Sequence, residues 1–200
     1  MLNERQIIST LLPLSKIALN FFALCATFCI SLSAVADQFP AKQSKAISVE
    51  YMTGSADMHG MRLAYRPDLN YDLDIPLIGK TRLEWEASLN LFDLHGSAKN
   101  EATYGLSVSP VFSTSLPNLD KNHPLRFEFG IGVVYVHEQK FGGVDIGSYY
   151  QFEDRLGLLI GLDKGFNSEV ALRYIHYSNG GLNTKNPGLD FFSVGYIKRF

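Results

Sequence analysis

The stretch Thr81-Arg82-Leu83-Glu84-Trp85-Glu86-Ala87-Ser88-Leu89-Asn90-Leu91-Phe92 alternates. Leu83, Trp85, Ala87, Leu89 and Leu91 fall on one parity; Arg82, Glu84, Glu86, Ser88 and Asn90 fall on the other. Successive side chains of a strand point to opposite faces, so a period of two over this length describes a strand with one apolar and one polar face. The pattern recurs. Leu125, Phe127, Phe129, Ile131, Val133 and Tyr135 oppose Arg126, Glu128, Gly130 and Gly132. Tyr104, Leu106, Val108, Pro110 and Phe112 oppose Gly105, Ser107 and Ser109. Pro110 has no amide donor and predicts a bulge or distortion there. Val170, Leu172, Tyr174 and His176 oppose Ala171, Arg173 and Ile175, while Phe192, Val194, Tyr196 and Phe200 share a face. Eight strands are predicted, near 46–54, 59–66, 80–93, 102–113, 124–137, 147–162, 168–178 and 189–200. In the sixth, Asp154 takes the parity of Phe152 and Leu156, which predicts a local bulge rather than a site.

Alternation alone does not separate a soluble sandwich from a membrane barrel. Three features favour the barrel. Strands of ten or more residues are long for a sandwich but suit a tilted spanning strand. Tyr104, Tyr135, Tyr174 and Tyr196 sit near strand ends, as interfacial aromatic girdles do. The chain also stops at Phe200 directly after an alternating strand, in the manner of bacterial outer-membrane proteins, although Lys198 departs from the apolar residue common near that end. The expected fold is all-β: an eight-stranded antiparallel transmembrane β-barrel of the outer-membrane type. Eight strands leave room inside only for side chains. Glu50, Arg62, Arg82, Glu84, Glu86, Arg126, Glu128 and Arg173, of both signs on the polar parity, are therefore expected to pair with one another in the lumen.

The N-terminus reads as a leader. Arg5 and Lys16 precede an apolar stretch, Ile17 to Ala36, that ends in Ala34-Val35-Ala36. A basic start, an apolar centre and a small-residue cleavage site describe a signal peptide over 1–36, with a transmembrane anchor as the alternative. The remainder, 37–200, suffices for one barrel domain. Both cysteines, Cys25 and Cys29, lie in the leader, so the mature chain has no disulfide, thiol nucleophile or cysteine metal site. Neither follows the kind of small residue expected before a lipidated cysteine. The formal net charge of −2 comes without a basic tract, which gives nucleic-acid binding no support. His59, His95, His123 and His137 are scattered without metal-ligand spacing, and no cofactor is implied.

Both ends of an even-stranded barrel lie on the periplasmic side, so the seventh strand reaches the outer surface at His176 and Ser178 and the eighth descends from Asp190. The segment 179–189 becomes the last extracellular loop, with Gly180-Gly181 and Pro187-Gly188 as turn signals. His176 and Ser178 share the apolar parity of Val170 and Leu172, and Asp190 shares that of Phe192 and Val194. The three polar groups are thus expected on the outer wall, where they are costly unless bonded to one another. Acyl transfer needs a nucleophile, Ser178; a base, His176; and an acid, Asp190, to orient the imidazole. Gly181 can offer a backbone amide and Asn186 a side-chain amide to the oxyanion. Spacing alone leaves a plain hydrogen bond at a loop edge as the commoner explanation of such a pair. Lys185 could meet a lipid phosphate, but a solvated loop lysine is the commoner case.

The run Ile175-His176-Tyr177-Ser178-Asn179-Gly180-Gly181-Leu182, with Asn186, Gly188 and the acid at 190, resembles the signature of the lipid A 3-O-deacylase family, also called PagL-type. Weaker similarity extends through Ser109-Pro110-Val111-Phe112, Gly130-Ile131-Gly132-Val133 and Phe152-Glu153-Asp154-Arg155. The resemblance implies an outer-membrane barrel, its active site facing the outer leaflet, that hydrolyses the ester-linked acyl chain at the 3-position of lipid A. It places the family's serine, histidine and acid on Ser178, His176 and Asp190, and its oxyanion donors on Gly181 and Asn186. The acid is commonly Glu in the family and is Asp here. The implied partners are lipopolysaccharide, through its lipid A, and the surrounding outer-membrane lipid. Oligomeric state stays open, a homodimer included. The competing expectations are a non-catalytic barrel serving as adhesin or envelope-integrity protein, and a secreted lipocalin-like binder.

Overall fold

The computed structural model describes residues 39–40, 44–93, 102–120, 122–141 and 143–200; the expected leader, 1–36, and His95 lie outside them. The strands are β1 Ala46–Gly54, β2 His59–Arg66, β3 Asn70–Ile75, β4 Gly79–Phe92, β5 Thr103–Leu116, β6 Leu125–Val136, the short β7 Lys140–Phe141 and β8 Val144–Asp145, β9 Tyr150–Gly161, β10 Ser168–Ser178 and β11 Leu189–Arg199. The main sheet runs β2-β1-β11-β10-β9-β6-β5-β4, and β4 pairs back onto β2. This is a closed antiparallel barrel of eight staves. Each of β2, β1, β11, β10, β9, β6, β5 and β4 has a neighbour on both sides, which is what a bilayer demands of a sheet, while β3 pairs with β4 alone among the described residues.

The second stave is longer than 59–66. β3 continues β2 along the same neighbour: Gly60–Tyr65 pairs with Phe92–Ala87, and Asn70–Ile75 pairs with Glu84–Gly79. Arg66, Pro67, Asp68 and Leu69 stand opposite Trp85 and Glu86, so the chain bulges where Pro67 has no amide to give. Pro110 produces no bulge. The β5–β6 ladder skips Ser109 and Pro110 opposite Ile131 and Gly132, then resumes in the same register. Asp154 also corrects the expectation of a bulge. β9 is unbroken, with Glu153 and Arg155 buried inside and Asp154 outside, paired in register with Ile131 and His176. The hairpin β7–β8, in the loop before β9, had no signature in the alternation.

The lumen is filled in two layers. In its middle, charges of both signs pair as expected, joined by Arg66, Glu153, Arg155, Glu169 and Arg199, which the sequence reading had not assigned. Arg82 instead pairs with half-exposed Asp72 at 2.7 Å. Towards the end that carries His176, the lumen turns apolar: Met52, Met58, Phe92, Val134, Ile175, Tyr177, Leu189 and Phe191 pack together with almost no exposure. The inward parity is therefore polar only over part of the height. Outside, Ile131, Val133, Leu172, Phe192 and Val194 are all exposed, an apolar wall that no element among the described residues covers.

Glu86 is the hub of the charged layer. Its carboxylate meets Arg62 Nη2 at 2.8 Å, Arg66 Nε at 2.8 Å and Arg155 Nη1 at 2.6 Å. Removing one member of a buried ion cluster strands its partners without solvent, at a cost of about 3–5 kcal/mol. Glu86→Leu is therefore expected to lower stability by about that amount, read as an earlier urea midpoint of the vesicle-inserted barrel by Trp85 fluorescence. An unchanged midpoint would show that the arginines find other partners.

Candidate active site

The site lies where β10 ends and β11 begins. In the ladder, His176 is paired with Asp190 on β11 and with Asp154 on β9. All three occupy outward positions, so their side chains emerge side by side on the wall. His176 Nδ1 lies 2.7 Å from Asp190 Oδ1. An ionised carboxylate only accepts, so Nδ1 carries the proton and donates it, leaving the Nε2 lone pair free to act as base. Asp190 Oδ1 also accepts a hydrogen bond from the Tyr174 hydroxyl. The Asp190 amide donates to Ser55 Oγ at 2.8 Å, which ties the start of β11 to the turn after β1. The imidazole is one-third exposed and the carboxylate half exposed, so a molecule in the outer wall's surroundings can reach both.

Ser178 ends β10 on the same outward parity, half-buried. No hydrogen bond among the described residues joins it to His176. Two residues along a strand span about 6.6 Å, so the pair closes by rotation of its side chains towards each other. Hydrolase hydrogen bonds are often open in the substrate-free state.

The loop after β10 folds on Asn179. Its amide donates to Asn186 Oδ1 at 2.9 Å, and its side-chain nitrogen donates to the Lys185 carbonyl at 2.7 Å and the Ile146 carbonyl at 3.1 Å. Asn179 Oδ1 accepts the Gly181 amide at 3.1 Å, so that expected oxyanion donor is already engaged. The Asn186 side-chain nitrogen is not engaged by any described residue, and Asn186 is exposed. The loop leans on the segment around β8: Asn183 donates to the Gly147 carbonyl at 2.6 Å, and Lys185 Nζ lies 2.6 Å from Asp145 Oδ2. Lys185, aided by the Gly147 amide, holds the Asp145 carboxyl below its ordinary range. Lys185 is thus exposed but partnered.

Gly188 closes the site from the loop side. Its φ is +71°, and a Cβ built on it would come within 2.8 Å of His176 Cε1. The chain passes so close to the ring that only hydrogen fits there, in a backbone conformation that costs other residues about 1 kcal/mol. Gly188→Ala is expected to push the imidazole off Asp190 and lower turnover about a hundredfold, since misplacement of a reacting group by about 1 Å has that effect. Steady-state hydrolysis by the folded variant checks this; a wild-type rate would mean that the loop yields instead of the ring.

Sequence reading brought together Ser178, His176, Asp190, Gly181 and Asn186. It missed Tyr174, read as a girdle residue; Asp154, read as a bulge; and Asn179, around which the loop is built. Tyr174 and Asp154 carried a signal, since each takes the outward parity and stands near His176 once strand order is known.

A family model described as Lipid A 3-O-deacylase (PagL) matches residues 59–199, which include every site residue above except Ser55. The chain belongs to the lipid A 3-O-deacylase family. It is 31% identical over 157 residues to the lipid A deacylase PagL of Pseudomonas aeruginosa, covering 76% of this chain and 86% of that one. It is 38% identical over 73 residues to the lipid A deacylase PagL of Bordetella bronchiseptica, covering 36% and 40%. The fold is similar to the crystal structure of the outer membrane enzyme PagL, with a TM-score of 0.62, 25% identity, and coverage of 76% of this chain and 98% of that one.

Proposed function

We propose that this protein is an outer-membrane serine esterase that removes the acyl chain ester-linked at the 3-position of lipid A and releases a 3-hydroxy fatty acid. Beside family membership, the observation that carries the reading is the 2.7 Å His176–Asp190 hydrogen bond on the outward wall, one strand step from Ser178. In this reading Nε2 of His176 takes the Ser178 proton as Oγ attacks the ester carbonyl. The Asn186 side-chain nitrogen donates to the resulting oxyanion, and the Gly181 amide joins it once released from Asn179. The intermediate collapses, the lipid A 3-oxygen leaves with the proton from His176, and the acyl group stays on Ser178. Water then gives its proton to His176 and attacks the acyl-enzyme; the free acid departs and Ser178 recovers its hydrogen.

The access route is lateral. The apolar packing among the described residues that fill the lumen at this end supports this route over one through the barrel. Below His176 the outer wall carries a shallow groove of about 380 Å³, lined by Phe127, Leu156, Leu158, Leu172, Phe192 and Val194. An acyl chain in the outer leaflet would lie there while its ester sits at headgroup depth. The segment 1–36 serves as the export signal in this scheme.

The test is incubation of the purified, detergent-folded protein with lipid A, followed by mass spectrometry. Loss of one 3-hydroxyacyl group together with free 3-hydroxy fatty acid is expected. Intact lipid A after exposure to protein that migrates as a folded, heat-shiftable band would leave a non-catalytic barrel.

A further inference from the structure

We propose that Tyr174 is a positioning residue whose hydroxyl fixes the carboxylate of Asp190 and determines which of two flanking acids serves His176; this rests on the triad assigned above. His176 stands between two outward carboxylates, Asp190 on β11 and Asp154 on β9. Tyr174, two residues earlier on the same face, has Phe192 as its direct neighbour on β11 and Leu156 on β9. Its phenol lies diagonally below both acids and can reach along the strand to either one.

The hydroxyl goes to Asp190 Oδ1, the same oxygen that accepts His176 Nδ1. The ring is held for this by Phe192, at 5.5 Å between centroids and 55° between planes. An aspartate with one hydrogen bond can still turn about its Cβ–Cγ bond. A second donor on the same oxygen removes that freedom and leaves Oδ2 out of the imidazole's way. The Ser55 hydroxyl fixes the Asp190 backbone in parallel. Asp154 receives neither donor among the described residues. The hydroxyl also supplies the carboxylate with a partner at the apolar edge of the bilayer, where an unbonded charge is costly.

The variant is Tyr174→Phe, which keeps the ring on Phe192 and removes only the donor. Turnover is expected to fall about tenfold with KM unchanged, the effect of losing one hydrogen bond to a charged group. The rate at which a long-chain alkyl fluorophosphonate labels Ser178 should fall by the same factor, because labelling needs the activated serine and no lipid A. The decisive comparison is the double variant: if the hydroxyl acts only through the carboxylate, Tyr174→Phe slows labelling no further in an Asp190→Ala background, where no side chain is left for it to hold. An equal further loss there would overturn the proposal, as would wild-type labelling and turnover for Tyr174→Phe alone beside an impaired Asp190→Asn. A wild-type rate for Asp190→Asn itself would instead remove the assigned acid, and the role of Tyr174 with it. The heat-shifted gel band of each variant separates these results from a failure to fold.

Discussion

Ser178→Ala is expected to leave lipid A with its full set of acyl chains. In hydrolases of this kind, loss of the serine lowers turnover by about 10⁶-fold, because the covalent route disappears and the remaining groups provide only binding and oxyanion stabilisation. The substitution should cost the fold little. Ser178 is the last residue of β10, half-buried, and its hydroxyl makes no hydrogen bond among the described residues. The nearby hydroxyls offer no replacement nucleophile: that of Tyr174 is committed to Asp190, and Ser55 Oγ is held at the Asp190 amide. Mass spectrometry of lipid A from cells expressing either form measures the effect, with the heat-shifted band as the control for folding. If one 3-hydroxyacyl group is still lost in the variant, the covalent route fails, and water activated directly by His176 takes its place.

The barrel was legible because its rule is short. A period of two needs only the local sequence, and Thr81–Phe92 or Leu125–Tyr135 states it without tertiary information. What escaped depends on pairing. The continuation of β2 by β3 shows only once both are seen along β4, since Asn70–Ile75 alternates over just six residues and is set off from β2 by Pro67. Asp154 looked like an interruption of β9 because a single polar residue on an apolar parity has two explanations, and only the β9–β10 register puts it opposite His176. The apolar packing at the site end of the lumen was hidden in the same way: Ile175 and Tyr177 take the inward parity that the charges nearer mid-barrel had marked as polar.

The site was legible at the level of faces and not of bonds. His176, Ser178 and Asp190 share one face because the last two strands keep their parity through the connecting loop. The Tyr174–Asp190 bond depends on a phenol reaching along a strand, and the Gly181–Asn179 bond on how a loop of small residues closes. Neither is set by spacing.

Asp190→Asn is expected to lower turnover by about 10⁴-fold while the barrel stays folded, the cost seen when the acid of such a triad loses its charge. The geometry explains why the loss should be large. An asparagine can turn its amide nitrogen to His176 Nδ1, where the aspartate oxygen now accepts. The imidazole then takes the tautomer with its proton on Nε2, which cannot accept from Ser178, and the negative charge that stabilises the imidazolium is lost as well. Asp190→Glu keeps that charge on a side chain longer by one methylene, and its activity is expected to stay within about tenfold of wild type, because the half-exposed position leaves a longer side chain space to bend back to the same donors. The second flanking acid supplies the control. Asp154 faces the same imidazole from β9 but shares no hydrogen bond with it, so Asp154→Asn should leave turnover close to wild type. Initial rates of 3-hydroxy fatty acid release from the folded variants rank the three. Should Asp154→Asn be the damaging change and Asp190→Asn the mild one, the acid belongs to β9, and the hydrogen bond on β11 serves the resting enzyme only.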